Sequence, residues 1–321
     1  MRLTPKQRQN PDSPAAQAEA RELKDRAFAA LNEGRPAQAM ADADATMAAH
    51  VDAGPAGEPY FTARLWRAIA LGHLGQHTAA AGEFGRLIEE VIPFFGDKHA
   101  RVVMCRIHRA MQLGCLARYE EAEAESRTAL KQSGKIWPHT DTDKYRLLAV
   151  TSLASVLNGR GLHAQAESAA RSAIRDARGA GLHAHRLVPL RIVLAGSLNG
   201  QRRHQEARQV LQDLPPGHPA WNLNIQLQLA IAELGLGMPG EAEARARETV
   251  AEAERLHGPA HHATLAAGTL LGSAIARQGR HDEARHQLQA NAEAWLEHFG
   301  EGHPQTAAAH QKLLEVGHDA G

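Results

Sequence analysis

This 321-residue sequence lacks most of what marks a chemical site or a destination. Its only cysteines, Cys105 and Cys115, lie ten residues apart on one predicted helix, too far along it to pair. They fit reduced, buried thiols in a cytosolic chain, not a disulfide framework. No stretch of about 18 apolar residues occurs, so no membrane-spanning helix is expected, and the opening residues MRLTPKQRQN lack the apolar core of a secretory signal. The expected location is the cytoplasm. Charge of one sign is missing as well: Lys+Arg and Asp+Glu both total 36, so no net field steers the chain toward nucleic acid or an anionic membrane. Nucleic acid and membrane are not expected partners.

Catalytic signatures are absent too. There is no Gly-x-x-x-x-Gly-Lys-(Ser/Thr), Gly-x-Ser-x-Gly or His-Glu-x-x-His element. The histidines fall mostly at predicted turns (His77, His163, His204, His281) and linkers (His99, His261, His303), where polar residues are expected. Paired carboxylates such as Glu89/Glu90, Glu120/Glu121 and Glu123/Glu125 read as a solvated outer helix face. No catalytic residue, metal site or cofactor is expected.

What is present is a period. From Thr264 to Thr306 the chain reads as a helix ending at Gly279, a short connector at Arg280-His281, a second helix, and a linker Gly300-Glu301-Gly302-His303-Pro304. Gly272 and Ala284 lie twelve positions apart, one in each helix, where two backbones approach closely only if side chains are small. The same offset recurs upstream: Ala27 with Ala39, Ala68 with Ala80, Ala110 with Ala122, Ala154 with Ala166, Ala195 with Ala207, and Ala230 with Ala242. Leucine precedes the first small residue at Leu153, Leu194, Leu229 and Leu271, and a turn glycine stands five before the second at Gly34, Gly75, Gly161, Gly237 and Gly279. In the third unit Ala117 replaces that glycine. The chain is a repeat array.

At these residues the sequence resembles the tetratricopeptide repeat family, in the long-period variety found in kinesin light chains and many actinobacterial proteins. The matching motifs are Leu-Ala/Gly in the first helix, Gly-x-x-x-x-Ala at the turn (Gly34 to Ala39, Gly279 to Ala284), and the linker Gly-x-x-His-(Pro/Ala)-x-(Thr/Val). The linker occurs as Gly300 to Thr306, Gly96 to Val102 and, more loosely, Gly258 to Thr264. The resemblance implies an all-α fold: a right-handed superhelical solenoid of about seven antiparallel helix-turn-helix repeats with a C-terminal capping helix. It specifies fold and leaves function open.

The expected organisation is a flexible tail over 1–12, one solenoid domain over 13–316, and a flexible tail over 317–321. Units span about 14–53, 59–93, 100–134, 144–178, 185–214, 220–256 and 264–299, with the cap at 305–316. Ser13-Pro14 suits a helix start, because serine caps and proline at the first helical position loses no hydrogen bond. Lys135 to Asp143 predicts an irregular join, and Pro215-Pro216 a shortened fifth unit.

In the resembled family the first helices line a concave groove that grips ligand peptides. Carried over by position, the groove candidates here are Trp66, Ile69, His108, Met111, Ser152, Ser155, Asn158, Asn199, Asn224 and Gln228. The row is apolar in the early units (Phe28, Trp66, Ile69, Met111) and polar in the middle, which suits a peptide whose apolar side chains need pockets and whose backbone needs amide partners. Trp66 and Met111 read equally as seam-filling core. The expected function is a non-enzymatic scaffold or adaptor for a protein or peptide. The alternatives are a regulatory sensor that takes a small peptide or metabolite effector and switches a second partner, and, more remotely, an enzyme on a helical-repeat frame. Self-association through an incompletely capped end is a further expectation.

Overall fold

The computed structural model describes residues 13–134, 142–212, 214 and 219–318. The expected tail over 1–12, most of the join Lys135 to Asp143, and Pro215-Pro216 lie outside these residues. The described residues are helical, with no strand among them. In order they form α1 (Pro14–Asn32), α2 (Pro36–Ala49), α3 (Glu58–His73), α4 (His77–Phe95), α5 (Ala100–Cys115), α6 (Tyr119–Ser133), α7 (Thr142–Gly159) and α8 (His163–Gly179). Then come α9 (Val188–Gly200), α10 (His204–Gln212), α11 (Pro219–Gly235), α12 (Pro239–His257), α13 (His262–Ala276), α14 (His281–Phe299) and α15 (Pro304–His318). Two short 3-10 turns, Val51–Ala56 and Ala184–Leu187, lead into α3 and α9. No described helix is long and apolar enough to cross a membrane.

The chain divides into two compact units, residues 1–156 and 157–321, with the boundary inside α7. The first holds the hairpins α1/α2, α3/α4 and α5/α6; the second holds α9/α10, α11/α12 and α13/α14, flanked by α8 and α15. Within each unit successive first helices also pack directly on one another, α1 on α3 and α3 on α5, then α9 on α11, α11 on α13 and α13 on α15. One side of each unit is therefore built from first helices.

Local sequence explains the hairpins. Ser13 accepts a hydrogen bond from the Ala16 N–H at 3.1 Å, so α1 starts where a cap precedes Pro14. The turns at Gly34, Gly75, Ala117, Gly161, Arg202 and Gly237 close with a bond from the next residue to a carbonyl five residues back, as in Arg35 to Ala30 at 2.8 Å and Gln76 to Leu71 at 2.9 Å. Gly34, Gly75, Gly161 and Gly237 supply the positive φ that this closure needs. Where glycine is missing the geometry persists, and Ala117 and Arg202 adopt φ of 56° and 61°.

The small residues of the repeat lie where the helices meet. On the first helices Ala27, Ala68, Ala110, Ala154, Ala195 and Ala230 are fully buried. On the second helices Ala39, Ala80, Ala122, Ala166, Ala207, Ala242 and Ala284 are fully buried as well. None of these alanines offers a surface to a ligand; their part is to set the distance between backbones. At Gly272 the approach is closer still, since a Cβ there would stand 2.5 Å from the Leu288 side chain. Larger residues fill what remains. Phe61, Ala80, Phe84, Leu87 and Val91 pack with Val102 and Cys105 of α5, and Trp295 is enclosed by Leu265, Ala292 and Ala309. Along α15, Val316 is buried while Gln311, Lys312 and Glu315 face water, and the helix runs on to His318, past the expected start of the tail.

Candidate functional site

In the first unit, the residue just after each first-helix alanine stays apolar and open to solvent. Phe28 is 44% and Met111 49% exposed, and Ile69 between them in sequence order is half-buried. Trp66 meets Phe28 edge-on, with ring centroids 6.5 Å apart and planes at 87°, while its other side packs with Ala27, Ala30, Leu31, Ala39 and Ala70. Trp66 is thus partly seam and partly surface. His108 stacks on Phe84 at 5.4 Å, and burial pushes its pKa down to about 4, so it stays neutral near pH 7. The Ser152 hydroxyl lies 2.9 Å from that of Ser126 inside the core, whereas Ser155 faces solvent.

The second unit uses its amides differently. The Asn158 amide donates to the Val193 carbonyl at 3.0 Å, and its oxygen lies 3.2 Å from Nδ1 of His163. One repeat later Asn199 donates to the Gln228 carbonyl at 2.9 Å and to Oε1 of Gln228 at 3.1 Å, with His204 Nδ1 again 3.2 Å from its oxygen. Each histidine lies over a glycine of the next hairpin: a Cβ at Gly200 would be 2.4 Å from His163, and one at Gly235 would be 2.3 Å from His204. Asn158 and Asn199 therefore hold α9 and α11 in place, and their amides are engaged within the protein. Asn224 is exposed and Gln228 half-buried. The sequence does carry a signal for this join, since Asn-Gly-x-x-x-His occurs at Asn158–His163 and again at Asn199–His204.

The linker histidines also differ from the expectation of plain polar positions. His99, His261 and His303 are 8%, 6% and 7% exposed. Each accepts a hydrogen bond from the backbone N–H two residues on, at 3.2, 3.3 and 3.2 Å, and so caps the helix that follows. Each also meets the ring four residues back: His99 stacks on Phe95 and His261 on His257, both at 4.4 Å, while His303 is tilted against Phe299 at 5.1 Å and stacks on Trp295 at 5.4 Å. Burial, and next the charge of Arg101, push the His99 pKa down to about 4. His77 at the α3/α4 turn is 2% exposed and lies 2.8 Å from Oε1 of Gln112.

The paired carboxylates are not uniformly solvated. Glu125 is largely enclosed and receives Arg106 at 2.7 Å and Arg109 at 2.6 Å. Glu83 is buried against Arg64 at 2.8 Å. On the outer side of the second unit, Glu167 is bonded by Arg171, Gln201 and Arg203. Glu243 repeats the pattern with Arg247, Gln278 and Arg280. Although burial opposes the charged form, these donors hold both carboxyls below the usual carboxylate range.

No protein-family model matches the sequence, and no curated protein does. Solved structures do. A Rap protein complexed with Competence and Sporulation Factor aligns over 94% of this chain and 85% of its own, at 14% identity and a TM-score of 0.60. A tetratricopeptide repeat protein from Parabacteroides merdae aligns over 93% of this chain and 99% of its own, at 14% identity and a TM-score of 0.48. The first likeness is one of fold: tandem helix pairs stacked first helix on first helix.

Proposed function

We propose that this chain is a binding scaffold that takes a protein or peptide partner on the side lined by its first helices, with the apolar row of the first unit as anchor. The observation that carries the reading is the pair Phe28 and Met111, large apolar side chains left 44% and 49% exposed on α1 and α5 while the alanines beside them are sealed. Trp66 and Ile69 complete the row. Burial of such side chains is worth about 1.5–3 kcal/mol each, enough for a few of them to dominate an interface. The structural neighbour with a bound factor supports binding as a use of this fold. In the second unit Asn158 and Asn199 act as structural ties, and Gln228 is the partner of Asn199. No catalytic role enters this reading.

The test is a photo-crosslinking amino acid placed at Met111, with Phe28→Glu as the competing variant. A protein or peptide crosslinked at Met111, and no longer crosslinked when Phe28→Glu is added with helical content unchanged, is the expected result. Crosslinking that survives Phe28→Glu unaltered overturns the reading. A small molecule recovered in place of a peptide turns it toward the effector-binding alternative.

A further inference from the structure

Two neighbouring hairpins of the first unit place arginines at the same positions and neutralise them differently. In α3, Arg64 and Arg67 stand four and one residues before Ala68; in α5, Arg106 and Arg109 stand four and one before Ala110. Around the first pair every guanidinium has an acid. Nε of Arg64 donates to Glu83 at 2.8 Å, Glu90 holds the same guanidinium, and Nε of Arg67 donates to Asp44 of α2 at 2.8 Å. Arg86 also pairs with Glu83. Three cations thus face three carboxylates.

Around the second pair two of the acids are gone. Glu125 keeps the place of Glu83, three residues after the second-helix alanine. Gln132 stands where Glu90 would be, ten after it, and Gly85 stands where Asp44 would be, five after its own alanine. Arg106 and Arg109 therefore grip the two oxygens of one carboxylate. The Nε atoms of both, which meet carboxylates in Arg64 and Arg67, are buried with no hydrogen-bond partner among the described residues, as is Oε1 of Gln132. Glu121 is close enough to Arg109 to feel its charge, but both Glu121 oxygens are held by Arg118 at 2.7 Å. Asp97 lies 3.4 Å from Nε2 of Gln132, so among the described residues Arg106 and Arg109, 17% and 31% exposed, share Glu125 as their one ion-pair partner, and partial desolvation makes an uncompensated charge costly.

We propose that Arg106, Arg109 and the bare backbone at Gly85 form a binding site for a carboxylate group that takes the place of the missing acids. The chemistry suits it: two forked, planar guanidiniums match a planar carboxylate, and what the join lacks relative to its neighbour is a side-chain carboxylate. The Arg109 guanidinium lies beside that backbone, since a Cβ on Gly85 would make ordinary contact with its Cζ at 3.5 Å. Arg109 and Met111 are two residues apart on a helix and so point to different sides. The site is separate from the apolar row and does not depend on the binding reading above.

The test measures the thermal midpoint of the full chain as acetate replaces chloride at constant ionic strength and pH. The expected result is an upward shift that grows with acetate, with apparent affinity at least about tenfold weaker in Arg109→Gln. Gly85→Asp returns the acid to the chain, so it raises the midpoint above that of Gly85→Ala and loses the acetate response. Triglycine and its C-terminal amide separate the sources: a response to acetate and triglycine alike means a site open to any small acid, and a response to triglycine alone means a peptide terminus. No response to either, or the same response in wild type and Gly85→Asp, overturns the proposal.

Discussion

Asn199 joins two hairpins through opposite ends of one amide: its NH2 donates to the Gln228 carbonyl at 2.9 Å, and its oxygen lies 3.2 Å from the ring of His204. At 7% exposure the amide has little water to fall back on, so removing it strands a buried carbonyl. Asn199→Ala is expected to cost about 1–3 kcal/mol, whereas Asn224→Ala, exposed on α11, stays within about 0.5 kcal/mol of wild type. Urea unfolding of the two variants checks it; equal losses would show that the join is not what holds these hairpins.

The turns make a second prediction. Ala117 and Arg202 sit at φ of 56° and 61°, a region that costs a residue with a Cβ about 1–2 kcal/mol. Replacing either by glycine relieves that strain, and the extra freedom of the unfolded glycine returns about 0.4–1 kcal/mol of it. Ala117→Gly and Arg202→Gly are each expected to stabilise by up to about 1 kcal/mol, while Gly75→Ala, at φ 75°, destabilises. Denaturant midpoints decide the sign.

Acid sensitivity follows from the buried imidazoles. His99 and His108 each have a folded pKa near 4, below the ordinary 6.5, so the unfolded chain takes up protons first. Their contribution is fully present above about pH 6.5 and is lost as pH falls toward 4. For His99 protonation also removes the acceptor that caps α5 and puts a cation at a helix N-terminus. Glu167 and Glu243, held below the usual carboxylate range, lose theirs at lower pH still, as it falls through their folded values. The thermal midpoint is expected to decline from about pH 6.5 downward, and His108→Gln to flatten the upper part of that slope. A midpoint constant between about pH 6.5 and 5 in wild type would contradict this.

The architecture was legible because small residues at a constant offset have few explanations other than close helix pairs. Ala166, Ala207 and Ala242, each named only by its distance from an upstream alanine, are as buried as that offset requires. The turn was legible even at Ala117, since position in the repeat outweighed the missing glycine. The amides were less so. Asn158 and Asn224 look alike in sequence, yet one donates to the Val193 carbonyl and the other is exposed on α11; what separates them is a histidine five residues on, His163, which meets the Asn158 oxygen while the amide reaches the next hairpin. His99 was equally opaque, because a buried imidazole cap depends on the Phe95 ring stacked against it. Glu125 was misread as solvated because its cations come from α5.

Ala110 and Met111 are adjacent on α5 and set up opposite outcomes. Ala110 is fully buried between α5 and α6, and Met111 is 49% exposed. Ala110→Leu forces extra methyl groups into a closed seam, at about 1–3 kcal/mol or more, so its thermal midpoint falls whether or not a partner is present. Met111→Glu adds a charge to a surface already in water; stability is expected to stay within about 0.5 kcal/mol, and the loss appears only in partner capture. A destabilised Met111→Glu would move Met111 from the binding face into the core, and an undisturbed Ala110→Leu would break the repeat register on which the rest depends.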